Sequence, residues 1–305
     1  MPTDLTPAEA DLEAPRPDEA PAGNSAADRV SGLDALELGP KKEKGNLGPR
    51  IWRNTWPKLL AVVIVIAAWQ AVVLSEWKPA YVLPGPETVF TDLAGLITTA
   101  SFWDGIQLTL TRALTGFLFA VILGTVIGAA VARFAPLRAA IGSLITGLQT
   151  MPSIMWFPLA ILLFQISESA IMFVVIIGAT PSVANGLISG IDYVPRTWLR
   201  VGQVLGMKGL AKYRHLILPA SLPSFISGLK QGWAFSWRSL MAGELLVIVP
   251  GALSIGVRMQ QARELNEASL VICYIIVVLV IGILIDVLFN AADNALRKRW
   301  GLTGD

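Results

Sequence analysis

Long apolar runs separated by short polar segments fill the chain from about residue 55 to residue 300. A helix needs about 20 mostly apolar residues to cross the hydrocarbon core of a bilayer. Six runs meet or approach that length, at about Leu59–Leu74, Leu108–Ala132, Ala140–Phe164, Ala170–Ser189, Leu222–Val249 and Ala268–Phe289. The pattern therefore predicts an all-α, polytopic membrane protein with six transmembrane helices.

The segment between the first two runs has a different pattern. It starts with the turn Tyr81-Val-Leu-Pro-Gly-Pro86 and stays mixed in polarity up to about Gln107. Its apolar residues, from Val89 to Ile97, recur at helical spacing. Because this segment is too short and too polar to cross a bilayer, we predict a surface or interfacial helix.

Composition agrees with a membrane protein, because only 15% of the 305 residues are charged and 54% are hydrophobic. Soluble domains average about 25% charged residues. Residues 1–40 differ from the rest, with nine acidic residues, two arginines and six prolines. Such a tract cannot bury enough apolar surface to offset its ordering entropy, so we expect disorder there. A cluster of basic residues follows, and beside a span it favours a membrane-facing segment over a nucleic-acid arm.

The distribution of basic residues tests the number of spans, since cytoplasmic loops carry an excess of lysine and arginine. Loops on the other side of the six-span layout contain only Lys78, Arg258 and Arg263. Basic residues of the cytoplasmic loops and tail are Arg133, Arg138, Arg196, Arg200, Lys208, Lys212, Arg214, Arg297, Lys298 and Arg299. We therefore predict that both termini are cytoplasmic.

This layout divides the chain into four regions. Residues 1–50 form an acidic, then basic, cytoplasmic tail, and residues 51–107 form the first span with an extracytoplasmic segment. Residues 108–290 form the core transmembrane domain, and residues 291–305 form a basic cytoplasmic C-terminus.

Polar residues and prolines cluster in the third, fourth and fifth spans. Buried polar groups cost free energy in a bilayer unless they face protein or water. Helix–helix hydrogen bonding explains any single serine or threonine equally well, but clustering on three spans favours a lined pathway. The candidate pathway residues are Gln149, Thr150, Met151, Ser153, Trp156, Asn185, Trp237, Arg238 and Glu244.

Arg238 is the most informative of these residues. It lies near the middle of the fifth span, where a charge costs about 3 kcal/mol on insertion scales. Glu244 follows six residues later and is therefore off the helical face of Arg238. Another span supplies the partner of this charge, an anionic solute does, or the side chain extends to the membrane interface.

The polar, basic stretch between the fourth and fifth spans, residues 190–221, is too long for a simple connection. It suits one or two short surface helices, broken at Gly206 and stopped by Pro219 and Pro223. Such helices would give a soluble partner protein a rigid surface to bind.

This stretch resembles the cytoplasmic loop of the inner-membrane permeases of binding-protein-dependent ABC importers. The resemblance rests on Leu205-Gly206 and Leu218-Pro219, with Gly206 and Pro219 thirteen residues apart. The Glu-Ala-Ala start of the family loop is replaced by Arg200-Val201-Gly202. Four more segments resemble the branch that imports nitrate, taurine, aliphatic sulfonates or bicarbonate: Tyr81–Pro86, Leu110–Phe117, Met151–Leu159 and Ala242–Leu245.

The resemblance implies an ABC type I importer permease fold in the cell inner membrane. It also implies a homodimer of permeases, two ATPase subunits that bind ATP and Mg, and an extracytoplasmic solute-binding protein. The solute would be a small anion of the nitrate, sulfonate, taurine or bicarbonate class. Residues implied to contact the ATPase are Arg196, Arg200, Val201, Gly202, Leu205, Gly206, Lys208, Lys212, Leu218 and Pro219.

Catalysis and metal binding by this chain find no support in its motifs. The phosphate-loop pattern GxxxxGK[ST] is absent, since Gly-Lys never occurs, so we predict no bound cofactor and no ATP hydrolysis. One histidine and one cysteine leave no basis for a metal site of these ligands. A permease for another small organic solute, an ion-coupled secondary transporter, an intramembrane enzyme and a structural scaffold are the alternatives. The secondary transporter would usually show inverted repeats, and we find none.

Overall fold

A computed structural model describes residues 47–299, and these residues form helices and no strand. The helices, in chain order, are α1 (Leu47–Leu74), α2 (Pro86–Ile97), α3 (Ala100–Arg133), α4 (Ala135–Thr150), a 3-10 turn (Ser153–Trp156), α5 (Phe157–Phe164), α6 (Glu168–Asp192), α7 (Arg196–Val204), α8 (Gly209–Lys212), a π-helical turn (Tyr213–Ile217), α9 (Leu218–Leu246), α10 (Ile255–Glu264) and α11 (Ala268–Arg299). The all-α prediction is confirmed. Most of the acidic tail predicted at residues 1–50, and the end of the predicted C-terminal region, lie outside the described residues.

The chain divides into two compact units, residues 1–64 and residues 65–305, with the boundary inside α1. In the first unit, the side chains from Trp56 to Ile64 are exposed and mostly apolar. In the second unit, the end of α1 is joined to the loop that follows it, where Trp69 Nε1 donates a hydrogen bond to Pro84 O at 3.2 Å. The helices from α2 to α11 all belong to the second unit.

Four of the described helices, α1, α3, α6 and α11, are long and apolar enough to cross a membrane. The pair formed by α4 and the segment Ser153–Phe164 qualifies as a fifth span if its two arms are counted together. The remaining predicted span corresponds to α9, which is long enough to cross at 1.5 Å per residue with its 29 residues but is not among the helices that are also apolar enough. Its lower hydropathy reflects Lys230, Arg238 and Glu244 together with several serines.

The third predicted span is not the continuous helix that the apolar run indicated. Its two arms meet at an angle of 105° around Met151 and Pro152. Met151 is extended (φ −76°, ψ 128°), because proline disfavours helical geometry in the residue before it. Pro158 lies in the first turn of α5, a position that needs no backbone N–H.

Two further boundaries differ from the sequence-based expectation. Residues Ala100–Gln107 belong to α3, and the surface helix α2 ends at Ile97, because the extended Thr99 separates the two helices. The prolines after the cytoplasmic stretch do not stop a helix. Pro219 instead lies in the first turn of α9, where proline is tolerated, and Pro223 lies within α9.

Helix α6 is the centre of the bundle, packed between α3 on one side and α9 on the other. The sequence has GxxxG spacings at Gly124/Gly128 and Gly186/Gly190, which predict close helix approach, and both lie at these contacts. A Cβ added to Gly124 would be 2.7 Å from Val183 Cβ, and one added to Gly186 would be 2.5 Å from Gly228 Cα. These glycines therefore set the distances between α6 and its two neighbours.

Replacing Gly186 by alanine should destabilise the protein by about 1–3 kcal/mol, because the new methyl group overlaps the backbone of α9. Thermal unfolding of the detergent-solubilised protein measures the effect. Gly142→Ala is the matched control, since a Cβ at Gly142 meets nothing within 4 Å. Equal stability of the two variants would contradict the close α6–α9 contact.

Candidate functional site

Trp237 and Arg238, two of the predicted pathway residues, lie on the face of α9 that adjoins α11. Two neighbouring cavities of about 470 and 610 Å³ lie along this face. Trp237, Arg238, Gly282 and Asp286 line both cavities. Trp237 stacks on Trp233, with ring centroids 6.3 Å apart and an angle of 19° between the rings. The result is a groove with an aromatic wall and an exposed arginine.

Arg238 has few interactions for a charge in the middle of a span. Its Nε donates to the Ala234 carbonyl at 3.0 Å, and its guanidinium lies 4.8 Å from the centroid of the Phe235 ring. Within residues 47–299, no carboxylate comes within ion-pair distance of it. The nearest acidic residue in the same cavities is Asp286, which pairs with another cation.

That cation is Lys230, which the sequence analysis did not single out. Lys230 Nζ donates to Asp286 Oδ1 at 3.0 Å and to Asn290 Oδ1 at 2.8 Å. Asn290 Nδ2 donates to Asp286 Oδ2 at 2.8 Å, so the three side chains form a closed ring between α9 and α11. The sequence did signal this residue, because Lys230 is a second positive charge, besides Arg238, in the fifth predicted span.

A second group of predicted pathway residues lies where α4 ends beside α6. Gln149 Nε2 donates to Ser182 Oγ at 3.2 Å, and Asn185 Nδ2 donates to Gln149 Oε1 at 3.3 Å. The structure therefore brings Gln149 and Asn185 together through one hydrogen-bonded chain.

The other members of this group surround the bend after α4. Thr150 and Met151 are exposed, and the Thr150 hydroxyl donates to its own helix at Gly147 O. Trp156 is half-buried against the main apolar core. Ser153 is half-buried and adjoins Gly178, where an added Cβ would lie 3.3 Å from Ser153 Cβ.

Glu244, the last predicted pathway residue, lies in the interior and has no exposed surface. Its carboxylate accepts hydrogen bonds from Arg112 Nη1, Thr109 Oγ1 and the backbone N–H of Gly256, each between 3.0 and 3.1 Å. Thr109 Oγ1 in turn accepts from Ile255 N at 3.0 Å. These contacts join α3, α9 and the N-terminus of α10, and they favour a packing role for Glu244 over a lining role.

Arg112 is the partner that the sequence analysis missed. It is 4% exposed, and its Nε and Nη2 both donate to Glu168, the first residue of α6. Arg112 belongs to the segment Leu110–Phe117, and Glu244 belongs to Ala242–Leu245. Two of the segments that carry the branch resemblance therefore meet through one buried ion pair. The sequence signal for this pair was a charged residue, Arg112, inside the second predicted span.

The polar stretch of residues 190–221 contains α7, and its predicted break at Gly206 is present. Gly206 has φ +72°, Gly206 N donates to Gln203 O, and Met207 N donates to Gly202 O at 2.9 Å. This pattern is the Schellman motif, in which glycine ends a helix in the left-handed conformation. Gly202 is buried, because Leu216 packs against it.

Most of the residues implied to contact an ATPase lie on the surface of this stretch. Lys212 and Pro219 are half-buried, and Gly202 is buried. The exposed members are Arg196, Arg200, Val201, Leu205, Gly206, Lys208 and Leu218. Beside them, Trp198 and Val204 on α7 also expose apolar surface. The patch combines arginines with apolar side chains, as a protein-binding surface does.

Replacing Arg112 by methionine should destabilise the protein by about 3–5 kcal/mol, because the substitution leaves Glu244 charged and buried without its cationic partner. Thermal unfolding in detergent measures this loss. Glu168→Gln is the control, and it should cost less than about 1 kcal/mol because Glu168 is half-exposed. If Arg112→Met were no more destabilising than Glu168→Gln, the buried network would not hold the helices together.

Comparison with known proteins identifies the family. Residues 120–298, more than half of the chain, match the model of the family described as binding-protein-dependent transport system inner membrane component. The nitrate import permease protein NrtB of Synechocystis is 26% identical over 82% of this chain and 92% of its own. The bicarbonate transport system permease protein CmpB of Synechococcus elongatus is 29% identical over 67% and 77%. A putative aliphatic sulfonates transport permease protein, SsuC of Bacillus subtilis, is 28% identical over 81% and 88%.

Solved structures agree on the fold. A chain of the methionine ABC transporter MetNI, in an inward-facing conformation, superimposes with a TM-score of 0.56 at 16% sequence identity. The match covers 64% of this chain and 96% of that chain, so the fold is that of a type I importer permease. The protein therefore belongs to the binding-protein-dependent transport system inner membrane components, and it is a multi-pass permease subunit of an ABC importer.

Proposed function

We propose that this permease forms the translocation path for a small anion and that Arg238 contacts the anion inside the membrane. The observation that carries the proposal is the unpaired guanidinium of Arg238, exposed in a groove near the middle of α9. A charge at that depth faces protein or water instead of lipid. Since no described carboxylate neutralises Arg238, an anion in the groove would gain a charge-assisted hydrogen bond from it.

The relatives support an oxyanion as the solute. Their names specify nitrate, bicarbonate and aliphatic sulfonates, all of which are oxyanions. Arginine suits such ligands, because its planar guanidinium can donate two parallel hydrogen bonds to two oxygens of one anion. Taurine, which carries the same sulfonate group, is included in the proposal. The hydrogen-bonded residues Gln149 and Asn185 provide neutral polar groups at a second place along the proposed path.

Energy for transport would come from a separate ATPase, which docks on the cytoplasmic segment 190–221. The exposed arginines and apolar side chains of α7 support this assignment. Arg200-Val201-Gly202 replaces the acidic start of the family loop, so the ATPase would meet a cationic and apolar surface here. ATP and Mg would bind to the ATPase, and this chain would bind no cofactor.

The working complex would contain two copies of this chain, two ATPase subunits and an extracytoplasmic solute-binding protein. The inner membrane would hold the permease pair, with surrounding lipid, and both termini of each copy would be cytoplasmic. The positive-inside bias of the loops supports this orientation.

Replacing Arg238 by glutamine should abolish anion uptake and leave assembly with the ATPase intact, because the side chain contacts no other charge in the described chain. The assay is uptake by the complex reconstituted in liposomes with its binding protein, screened over nitrate, bicarbonate, taurine and alkyl sulfonates. ATPase stimulation by the loaded binding protein is recorded in parallel.

Arg297→Gln is the matched control, since Arg297 lies at the cytoplasmic end of α11 and pairs with Asp293 on its own helix. It should transport like the wild type. Failure of the Arg238 variant to assemble would make Arg238 a structural residue. Transport of none of the four anions by the wild-type complex would overturn the proposed solute class.

Replacing Gly206 by valine should release the ATPase or uncouple it from transport. The left-handed conformation of residue 206 is strained for any L-amino acid, and most of all for a β-branched one. Co-purification of the ATPase and ATP-dependent uptake are the measurements. Gly142→Val, a glycine on α4 with open space around it, is the control. Normal co-purification and uptake by the Gly206 variant would contradict the role of this loop.

A further inference from the structure

The groove beside α9 contains a second cation, whose partner is a carboxylate of α11. Lys230 and Asp286 both line the cavity of about 470 Å³ that also contains Arg238. Lys230 lies near the midpoint of α9 and precedes Arg238 by about two helical turns, or about 12 Å of axial rise. One groove therefore presents two cationic side chains, one after the other along the axis of α9.

The exposure of this ion pair within two predicted spans favours protein or water as its neighbour. The Lys230 and Asp286 side chains are 41% and 54% exposed in the single chain, although both lie well inside long helices. An exposed ion pair in hydrocarbon is costly, so this face must adjoin protein or water in the working complex. The groove is thus accessible to a hydrated solute or is closed around one.

The charged side chains of the groove have a net charge of about +1, which one monovalent anion would neutralise. Lys230 and Arg238 carry two positive charges, and Asp286 carries one negative charge. Asp286 is bound by Lys230 and by Asn290, so its negative charge neutralises Lys230 and not Arg238. Arg238 alone is uncompensated, and a solute that enters from the extracytoplasmic side would reach it first.

The Lys230 ammonium can bind a further acceptor while it keeps its ion pair with Asp286. It has three N–H donors, of which two point to Asp286 and Asn290, and no third acceptor lies within hydrogen-bond distance in residues 47–299. A lysine side chain is also flexible. An anion that leaves Arg238 could therefore take the third donor first and then compete with the Asp286 carboxylate.

From this geometry, and resting on the proposed function, we propose that Lys230 is a second anion-binding station on the cytoplasmic side of Arg238. When no anion is present, the Asp286 carboxylate pairs with Lys230. When an anion is bound to Lys230, Asp286 competes for the ammonium and displaces the anion. Asn290 positions Asp286. The ligand class is the same monovalent oxyanion that Arg238 contacts.

Replacing Asp286 by asparagine tests the station, because it keeps the shape and removes the competing charge. The probes are nitrate and ethanesulfonate, presented by the binding protein to the complete complex in liposomes. Asp286→Asn should lower the KM and the maximal uptake rate together, each about two- to fivefold, the range for a partly exposed ion pair. The anion binds more tightly to Lys230 and leaves more slowly.

Asp293→Asn is the matched control, since Asp293 lies on the same helix and forms an ion pair with Arg297 outside the groove. It should leave both kinetic constants at the wild-type values. Lys230→Gln should lower the maximal rate without lowering the KM, because the second station is lost.

The double variant Lys230→Gln/Asp286→Asn separates a station from a structural ion pair. If Lys230 and Asp286 only hold α9 to α11, removing both charges restores wild-type uptake and assembly. If Lys230 is a station, the double variant assembles but its uptake stays at the Lys230→Gln level. Wild-type kinetics for Asp286→Asn, or recovery in the double variant, would overturn the inference and leave the role of Arg238 intact. A wild-type complex that transports neither probe would instead count against the anionic solute itself.

Discussion

The buried charge of Arg112 is the constraint around which the helices are arranged. An arginine inside a bundle that crosses a bilayer cannot be left without partners, because its desolvation exceeds what one neutral hydrogen bond returns. Arg112 on α3 meets this requirement with Glu244 on α9 and Glu168 at the start of α6. The remaining oxygen capacity of Glu244 is taken by Thr109 and by the first turn of α10. One ionic cluster therefore joins the interior of α3 to the start of α6, the last turn of α9 and the start of α10.

Close packing along α6 holds the same helices together at other levels of the bundle. Gly124 and Gly186 bring α3 and α9 to within backbone contact of α6, where van der Waals attraction acts without a hydrophobic driving force. The ionic cluster determines which helices meet, and the glycines determine the distance between the packed helices. With both in place, the inner face of α9 is filled by Ser236, Leu240 and Glu244.

The outer face of α9 has the opposite character. Here Lys230 and Arg238 lie in an open groove beside α11, and only Lys230 is paired with an acid. The contrast between Arg112 and Arg238 separates a structural charge from the charge that we propose contacts the solute. Arg112 is enclosed and paired with two carboxylates, whereas Arg238 is exposed with a single backbone acceptor and an aromatic ring. The same residue type is neutralised in one place and left exposed in the other because its surroundings differ.

Much of this molecule follows from the sequence by local rules. Apolar run lengths predict helices at all six spans, GxxxG spacing predicts the close approach at Gly124 and Gly186, and Gly206 predicts the end of α7. Even the bend at Met151 could be anticipated, since the residue before a proline avoids helical geometry. Each of these properties depends on residues within a few positions of one another.

Only the tertiary structure decided which charges meet. Arg112 and Glu244 are 132 positions apart, and Lys230 and Asp286 lie on two different helices, α9 and α11. No local rule connects such positions, because their contact depends on how whole helices pack. The sequence therefore determined that charged residues lie inside the spans, and the packing of α3, α9 and α11 determined which of them are neutralised. Arg238 is left unpaired because the one acid in its groove is held by Lys230.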